Sequence, residues 1–171
     1  MDMTHEEYQR AADHWKVADA KGTAMGRDAL VAAIEDYVRA NDTCALATAA
    51  DSFVRCTPIE YVYRDGCFWM FSEGGEKFRG LELNKNVCLA VFDKFDGFGN
   101  LKGMQVTGRA EVIEPFSEEY LAAAAARKIP VEALRRLPEP MNLIKVRPTR
   151  IDFLNSDFKR DGFSSRQQLV L

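Results

Sequence analysis

Residues 54–93 read VRCTPIEYVYRDGCFWMFSEGGEKFRGLELNKNVCLAVFD, and this stretch decides the fold. A strand pattern leads through Asp65-Gly66 into an aromatic strand pattern, a glycine pair, a short basic helix and another strand. Asp-Gly between two such runs is the signal for a tight hairpin. The hairpin would bring Arg55 and Lys77, two side chains suited to a phosphate, to the two ends of one small sheet. The stretch therefore predicts a small antiparallel sheet that binds a phosphate-bearing cofactor.

The composition of the chain predicts a single globular domain. Its 171 residues are enough to bury a core, and 47% of them are hydrophobic. A net charge of −3 gives no basic field for a nucleic acid or an anionic membrane. No apolar run approaches the roughly 18 residues needed to span a bilayer, and the polar start MDMTHEEYQR does not resemble a signal peptide. We therefore expect a cytoplasmic protein that binds neither nucleic acid nor membrane.

The cysteines are predicted to be structural residues rather than reactive or metal-binding ones. All four, Cys44, Cys56, Cys67 and Cys88, lie in strand-like apolar runs without a CxxC pair. This pattern favours reduced structural thiols over disulfides or a zinc site, so we expect no metal.

Hydrophobic periodicity divides the chain into helices followed by a sheet. Residues 4–19 and 27–40 carry apolar positions at helical spacing, and the first helix should lie on an apolar surface. From residue 43 to 113 the period changes towards two, and residues 142–154 return to it. The chain shows no repeated strand-helix-strand unit and no glycine-rich nucleotide signature, which argues against a Rossmann fold.

These patterns together predict an α+β domain built on a closed or partly closed antiparallel barrel. We expect a helical segment at 4–40 packed on the barrel, a barrel core at about 43–153 and a C-terminal tail at 155–171. A single strand should cover residues 52–63, and a short helix should cover residues 129–137.

An anion-binding corner is predicted around the glycine pair. Gly74 and Gly75 can adopt positive φ just before a helix that begins near Glu76. Lys77 lies in the first turn of that helix, where its ammonium can reach a phosphate. Arg79 is about 200° further around the helix and should point elsewhere.

Two strand residues could complete this site. Arg55 carries a planar fork that can grip a phosphate with two hydrogen bonds, although a surface pair with Glu60 or Asp65 is the simpler interpretation. Gln105, on the polar face of the regular strand 102–113, could bond to a heteroaromatic edge, although a solvated glutamine is again the simpler interpretation.

The stretch 54–93, followed by LKGMQVTGRAEVIEP, resembles the pyridoxamine 5′-phosphate oxidase-like family of FMN-binding split barrels over roughly residues 40–153. The resemblance implies a split β-barrel homodimer with one FMN in each of two clefts between the subunits. It also implies the cofactor contacts: Arg55 and Lys77 at the phosphate, Cys56, Thr57 and Pro58 along the isoalloxazine, Phe71 and Ser72 beside the ribityl chain, and Gln105 on the flavin.

Two departures from the family pattern argue against genuine pyridoxamine phosphate oxidase activity. The vitamin B6 oxidases usually carry an Arg-Lys pair where this chain has Glu76-Lys77. Their basic and aromatic C-terminal residues also have no counterpart in the tail FSSRQQLVL.

The resemblance implies an FMN-dependent oxidoreductase that passes electrons from a reduced nicotinamide or similar donor to a quinone, a nitroaromatic or a flavin. The flavin supplies the redox chemistry, so no catalytic side chain can be named. The alternative is a non-catalytic flavin- or haem-binding protein for storage, sensing or stress, since related split barrels hold haem, deazaflavin or no cofactor. The two histidines, His5 and His14, lie on the first predicted helix, where a solvated position is the simpler interpretation. A dimerisation module with an empty cleft is a third hypothesis.

Overall fold

A computed structural model describes residues 2–171, in which eight strands form one antiparallel sheet flanked by five α-helices. The helices are α1 (His5–Asp19), α2 (Arg27–Ala40), α3 (Lys77–Leu83), α4 (Glu118–Ala126) and α5 (Val131–Arg135). The strands are β1 (Thr43–Ala50), β2 (Phe53–Glu60), β3 (Val62–Arg64), β4 (Cys67–Ser72), β5 (Asn86–Phe92), β6 (Lys102–Ile113), β7 (Asn142–Asn155) and β8 (Arg166–Val170).

The sheet closes on itself through one continuous piece of chain. The strand order is β2-β1-β5-β6-β7-β4-β3, and β8 pairs with the second half of β7. Strands β2 and β3 stand at opposite ends of this order, yet Tyr61 alone separates them in sequence. The two ends are therefore held together covalently, and the sheet curls into the predicted antiparallel barrel.

The barrel splits at Tyr61. The Tyr61 N–H donates to the Asp42 carbonyl (2.7 Å), which extends the β1–β2 register by one residue, and its hydroxyl donates to the Val38 carbonyl (2.8 Å). Beyond it β3 pairs with β4, whereas β2 pairs with β1 alone within residues 2–171. The single strand predicted for 52–63 is therefore broken, and no ladder joins β2 to β4 within residues 2–171, a gap that we call the open mouth.

Local turn chemistry sets the hairpin between β3 and β4. Asp65 and Gly66 both have positive φ, at 53° and 71°, which is the geometry of a type I′ turn. The turn places Val62 opposite Trp69. The predicted tight hairpin at Asp65-Gly66 is confirmed.

Two hydrophobic clusters cover unequal parts of the sheet. The first fills the barrel, and α2 closes it with Leu30, Ile34 and Val38. The second lies outside β4 and β7 beneath α4 and α5, and includes Trp69 and Tyr120. The outer faces of β1, β2 and β5 lie outside both clusters. This bare face carries two exposed larger side chains, Val54 and Phe92, and otherwise small ones: Ala45, Ala47, Cys56, Pro58, Cys88 and Ala90.

Three elements differ from their predictions. Helix α1 buries none of its residues, and Trp15 is 51% exposed, so its apolar stripe does not lie in a core. The tail contributes the strand β8. The helix predicted for 129–137 is reduced to α5.

The cysteines differ in exposure, and Cys88 is half-buried. Cys44 and Cys67 are buried, and burial raises the pKa of the Cys44 thiol to about 12, so it is inert at neutral pH. Cys56 is exposed on the bare face, which corrects the prediction that all four thiols are packed. Residues 2–171 contain no cluster of three histidine, cysteine or carboxylate side chains arranged to bind a metal.

None of the helices within residues 2–171 combines the length and the apolar character needed to cross a bilayer.

Candidate functional site

The open mouth between β2 and β4 brings the predicted phosphate ligands together. After β4 the chain enters α3, which packs against β1 and β2. Continuation of the β3–β4 register would place Glu76 opposite Arg55, and these side chains do meet, with Arg55 Nη1 3.3 Å from Glu76 Oε2. We call Arg55, Ser72, Gly74, Glu76 and Lys77 the basic corner.

Lys77 is a buried cation without a counter-ion. It is 5% exposed, and its ammonium donates to the carbonyl of Gly74. No carboxylate lies within salt-bridge distance of it among residues 2–171, and desolvation lowers the pKa of its ammonium. A buried charge that lacks a partner is costly, so an anion at this position would be stabilised.

Close packing of α3 on β1 fixes the position of Lys77. Gly80 lies one turn after Lys77, on the same side of α3. A Cβ atom at Gly80 would lie 3.0 Å from the Cβ of Thr48 on β1, so glycine lets the helix approach the sheet. Lys77 is therefore held against the barrel rather than in solvent.

The glycine pair turns the chain over the Lys77 ammonium. Gly74 and Gly75 have φ of 151° and 108°, a region that side chains disfavour, as the sequence predicted. The Ser72 hydroxyl accepts a hydrogen bond from the Gly74 N–H (3.2 Å) and donates to the Gly74 carbonyl (3.1 Å). Ser72 thus fixes the turn that carries the Gly74 carbonyl to Lys77.

Arg55 remains available to a ligand. The simpler pairings predicted for it are wrong, because Glu60 binds Arg127 (2.6 Å) and Asp65 binds Arg64 (3.0 Å). Its actual partner is Glu76, and the two side chains are 54% and 50% exposed. A pair this exposed contributes about 0–1 kcal/mol, so a ligand can displace it.

The corner fits a phosphate that displaces Glu76. It offers two cations and one carboxylate, and a charge-assisted hydrogen bond is worth about 1.5–3 kcal/mol against about 1 kcal/mol or less for the exposed ion pair. A doubly charged phosphate bound by both cations therefore outweighs the loss of the Arg55–Glu76 contact.

The residues predicted along the isoalloxazine lie on the open strand. Cys56 and Pro58 are exposed on the bare face, and Thr57 is half-buried on the other side of β2. An edge strand presents free backbone N–H and C=O groups, although Pro58 has no N–H. This edge can hydrogen-bond a planar heterocycle without help from side chains.

Phe71 and Ser72 line an open depression with Glu73, Gly74, Gly75 and Met141. Phe71 also packs edge-on against Tyr120, with ring centroids 5.2 Å apart. Phe71 therefore belongs partly to the second hydrophobic cluster, and its place beside a ribityl chain stays a prediction.

One chain does not bring Gln105 to the basic corner. Gln105 is exposed in the middle of β6, in a row that runs through Ala90 and Ala45 to Pro58. Three strand spacings separate Gln105 from Pro58, about 14 Å along the sheet. A shared ligand would need the Gln105 of a second subunit.

Gln105 instead lines a second cleft of about 760 Å³ between α1 and the sheet, together with Trp15 and Arg166. No sequence pattern indicates this cleft, because Trp15 and Arg166 are distant in sequence and no local pattern joins them.

Comparison with known proteins gives one family and one fold. The sequence matches the family described as pyridoxamine 5′-phosphate oxidase over residues 30–155. A search of curated proteins found no significant match.

Three solved structures illustrate the shared fold. An FAD-binding protein from Mesorhizobium loti is 21% identical, with 71% of this chain and 89% of that chain covered and a TM-score of 0.58. HutZ, a haem storage protein from Vibrio cholerae, is 19% identical, with 68% and 87% covered and a TM-score of 0.57. Campylobacter jejuni ChuZ is 15% identical, with 95% and 68% covered and a TM-score of 0.65. At these identities the likeness establishes the fold alone.

Proposed function

The chain belongs to the pyridoxamine 5′-phosphate oxidase family, and from this premise we propose that it binds FMN and acts as a flavin-dependent oxidoreductase. The observation that carries the proposal is Lys77, a buried ammonium without a counter-ion beside the half-exposed Arg55. A phosphate would neutralise the Lys77 ammonium and accept hydrogen bonds from the Arg55 guanidinium.

The charge at the corner favours FMN over FAD. The phosphate of FMN is a monoester with a charge of about −1.5 to −2 at neutral pH, whereas each phosphate of FAD carries a single charge. Two cations therefore match FMN better.

Different residues of this chain would contact the phosphate, the ribityl chain and the isoalloxazine of the cofactor. Arg55 and Lys77 would hold the phosphate, and Phe71 and Ser72 would border the ribityl chain. Cys56, Thr57 and Pro58 would line the isoalloxazine along the free edge of β2. Bound FMN supplies electron transfer, so the chain contributes binding, orientation and exclusion of water.

For the reaction, we propose electron transfer from a reduced nicotinamide or similar donor to a small quinone, nitroaromatic or flavin. Glu76 and the tail argue against oxidation of pyridoxamine 5′-phosphate. The test is anaerobic mixing of the FMN-loaded protein with NADH or NADPH. We expect the flavin absorbance to bleach and to recover when menadione is added, whereas a colour that persists with every donor would contradict an enzyme.

A non-catalytic haem- or flavin-binding protein is the second candidate. The likeness to the haem storage protein HutZ supports it. His14 is exposed on α1, and its ring lies 4.9 Å from that of Trp15. A Soret band in the purified protein would favour this candidate.

We further propose a homodimer that forms through the bare face. Small side chains in the middle of this face suit close approach of a second sheet, and the exposed Val54 and Phe92 would be buried by it. A partner would also supply the Gln105 that one chain holds away from its own corner. The cofactor clefts would then lie between the subunits.

The dimer predicts that Cys56 is protected from thiol reagents. Cys56 is exposed in the single chain, whereas Cys44 and Cys67 are buried and serve as internal controls. We expect a mass of twice 19.3 kDa by light scattering, and maleimide labelling of Cys56 that becomes fast only in urea. Fast labelling of Cys56 in the native protein would contradict this interface.

Glu76→Gln should strengthen FMN binding. The substitution removes the carboxylate that competes for Arg55, so the expected gain is up to about 1 kcal/mol, or roughly fivefold in Kd. The measurement is titration of the apoprotein with FMN. Glu73→Gln in the same loop is the matched control and should leave Kd unchanged. An unaltered Kd for Glu76→Gln would mean that the carboxylate does not compete with the phosphate.

A further inference from the structure

The second cleft has the size of a small-molecule site and contains a cation without a carboxylate partner. It lies between α1 and the outer face of β5–β8, and its volume of about 760 Å³ falls in the range of ligand pockets. The side chains that matter are Trp15, Gln105, Arg150, Asp152, Arg166 and Gln168.

Asp152 neutralises one of the two arginines in this cleft. Its Oδ1 atom accepts hydrogen bonds from Arg150 (2.7 Å) and Gln168 (2.9 Å). The carboxylate and both donors are therefore already engaged with one another. A ligand would gain little from this group.

Arg166 is in a different position. Its Cζ atom stands 3.9 Å from the ring centroid of Trp15, and no carboxylate lies within 4 Å of its guanidinium among residues 2–171. Stacking uses the flat face of a guanidinium and leaves the N–H donors at its edge free. Trp15 thus holds Arg166 in place while its hydrogen-bonding edge stays available to an anion.

The other charged groups of the cleft balance one another. Lys16 and Asp19 also line it, and Lys16 pairs with Asp13 (2.8 Å) just outside the lining. Lys16 and Arg150 are therefore each paired with a carboxylate, whereas Arg166 is not. The side chains of Phe92 and Leu154 add an apolar wall.

We propose that this cleft binds a planar aromatic molecule that carries one anionic group, such as an aromatic carboxylate. The edge of Arg166 binds the anion, and the ring lies on the apolar wall. This ligand would be the electron acceptor, beside the flavin of the neighbouring subunit, and this role rests on the proposed function. Binding of the ligand to the cleft does not depend on the proposed function.

Calorimetric titration with 4-nitrobenzoate tests the proposal. We expect saturable binding to the wild-type protein and a roughly tenfold or larger loss in Arg166→Gln, because a charge-assisted hydrogen bond disappears. Trp15→Leu, an exposed position whose loss should not affect folding, should also weaken binding because Arg166 is no longer held. Arg136→Gln, an exposed arginine outside the cleft, is the matched control and should bind like wild type.

Two further comparisons decide the result. Nitrobenzene, the same ring without the carboxylate, should bind at least tenfold more weakly than 4-nitrobenzoate. Binding should also persist in Arg55→Ala, so failure of the flavin site would not remove it. Equal affinity of wild type and Arg166→Gln, equal affinity for the two nitro compounds, or no binding at millimolar concentration would overturn the proposal.

Discussion

Arg55→Ala lowers the affinity for FMN by about 1.5–3 kcal/mol, or roughly 10- to 150-fold, without unfolding the protein. The guanidinium is the only strand-side cation that the structure brings to the basic corner within residues 2–171, and its loss removes the paired hydrogen bonds to the phosphate. Its contact with Glu76 is half-exposed, so its removal should change the free energy of unfolding by about 1 kcal/mol or less. Flavin fluorescence titration and thermal melting measure the two quantities.

Riboflavin provides the sharpest control for this variant. It has the same ring and ribityl chain as FMN but lacks the phosphate, so Arg55→Ala should leave its affinity unchanged. Arg79→Ala removes an exposed arginine two residues after Lys77 and should bind FMN normally. An equal loss for FMN and riboflavin, or an unchanged FMN affinity, would show that Arg55 does not hold the phosphate.

Lys77→Met should weaken FMN binding to a similar extent while leaving the apoprotein as stable as before or more stable. Methionine keeps the apolar stem in its buried position but removes an ammonium that has no counter-ion. Apoprotein stability and cofactor affinity therefore move in opposite directions, a result that a merely structural lysine would not give. A large fall in the melting temperature of the apoprotein would contradict this account.

The pH dependence gives Lys77 a second signature. Burial lowers the pKa of its ammonium below the ordinary 10.5, so the folded chain binds fewer protons than the unfolded chain between the lowered pKa and 10.5. In that window the free energy of unfolding of the wild-type apoprotein therefore rises with pH, compared with that of the Lys77→Met apoprotein. FMN affinity falls over the same window, because the ammonium that binds the phosphate loses its proton. Both trends should be absent from the Lys77→Met variant.

Local signals predicted the parts of the fold that depend on neighbouring residues. Asp65-Gly66 formed the hairpin it predicted, because positive φ is decided within the turn. The tail strand was missed, because its sequence RQQLV looks too polar for a sheet. Gln167 is nevertheless buried there, since its amide bonds to the backbone of Thr23 and Ser164.

Tertiary contacts decided what the sequence could not show. The alternating pattern continues through Tyr61, whereas the strand ends before it, and the Tyr61 hydroxyl bonds to the carbonyl of Val38 on α2, 23 residues away. Glu76 meets Arg55 across the open mouth, a pairing that no local pattern indicates. The basic corner could therefore be predicted from its cations, whereas its carboxylate partner and the separation of Gln105 required the structure.

Identification of the cofactor released from the purified protein tests the central claim most directly. The protein should be yellow, and denaturation followed by chromatography should release FMN, about one molecule per chain after incubation with excess FMN. FAD or haem in its place, or a colourless protein that takes up no added FMN, would contradict the assignment of the basic corner to the phosphate of FMN.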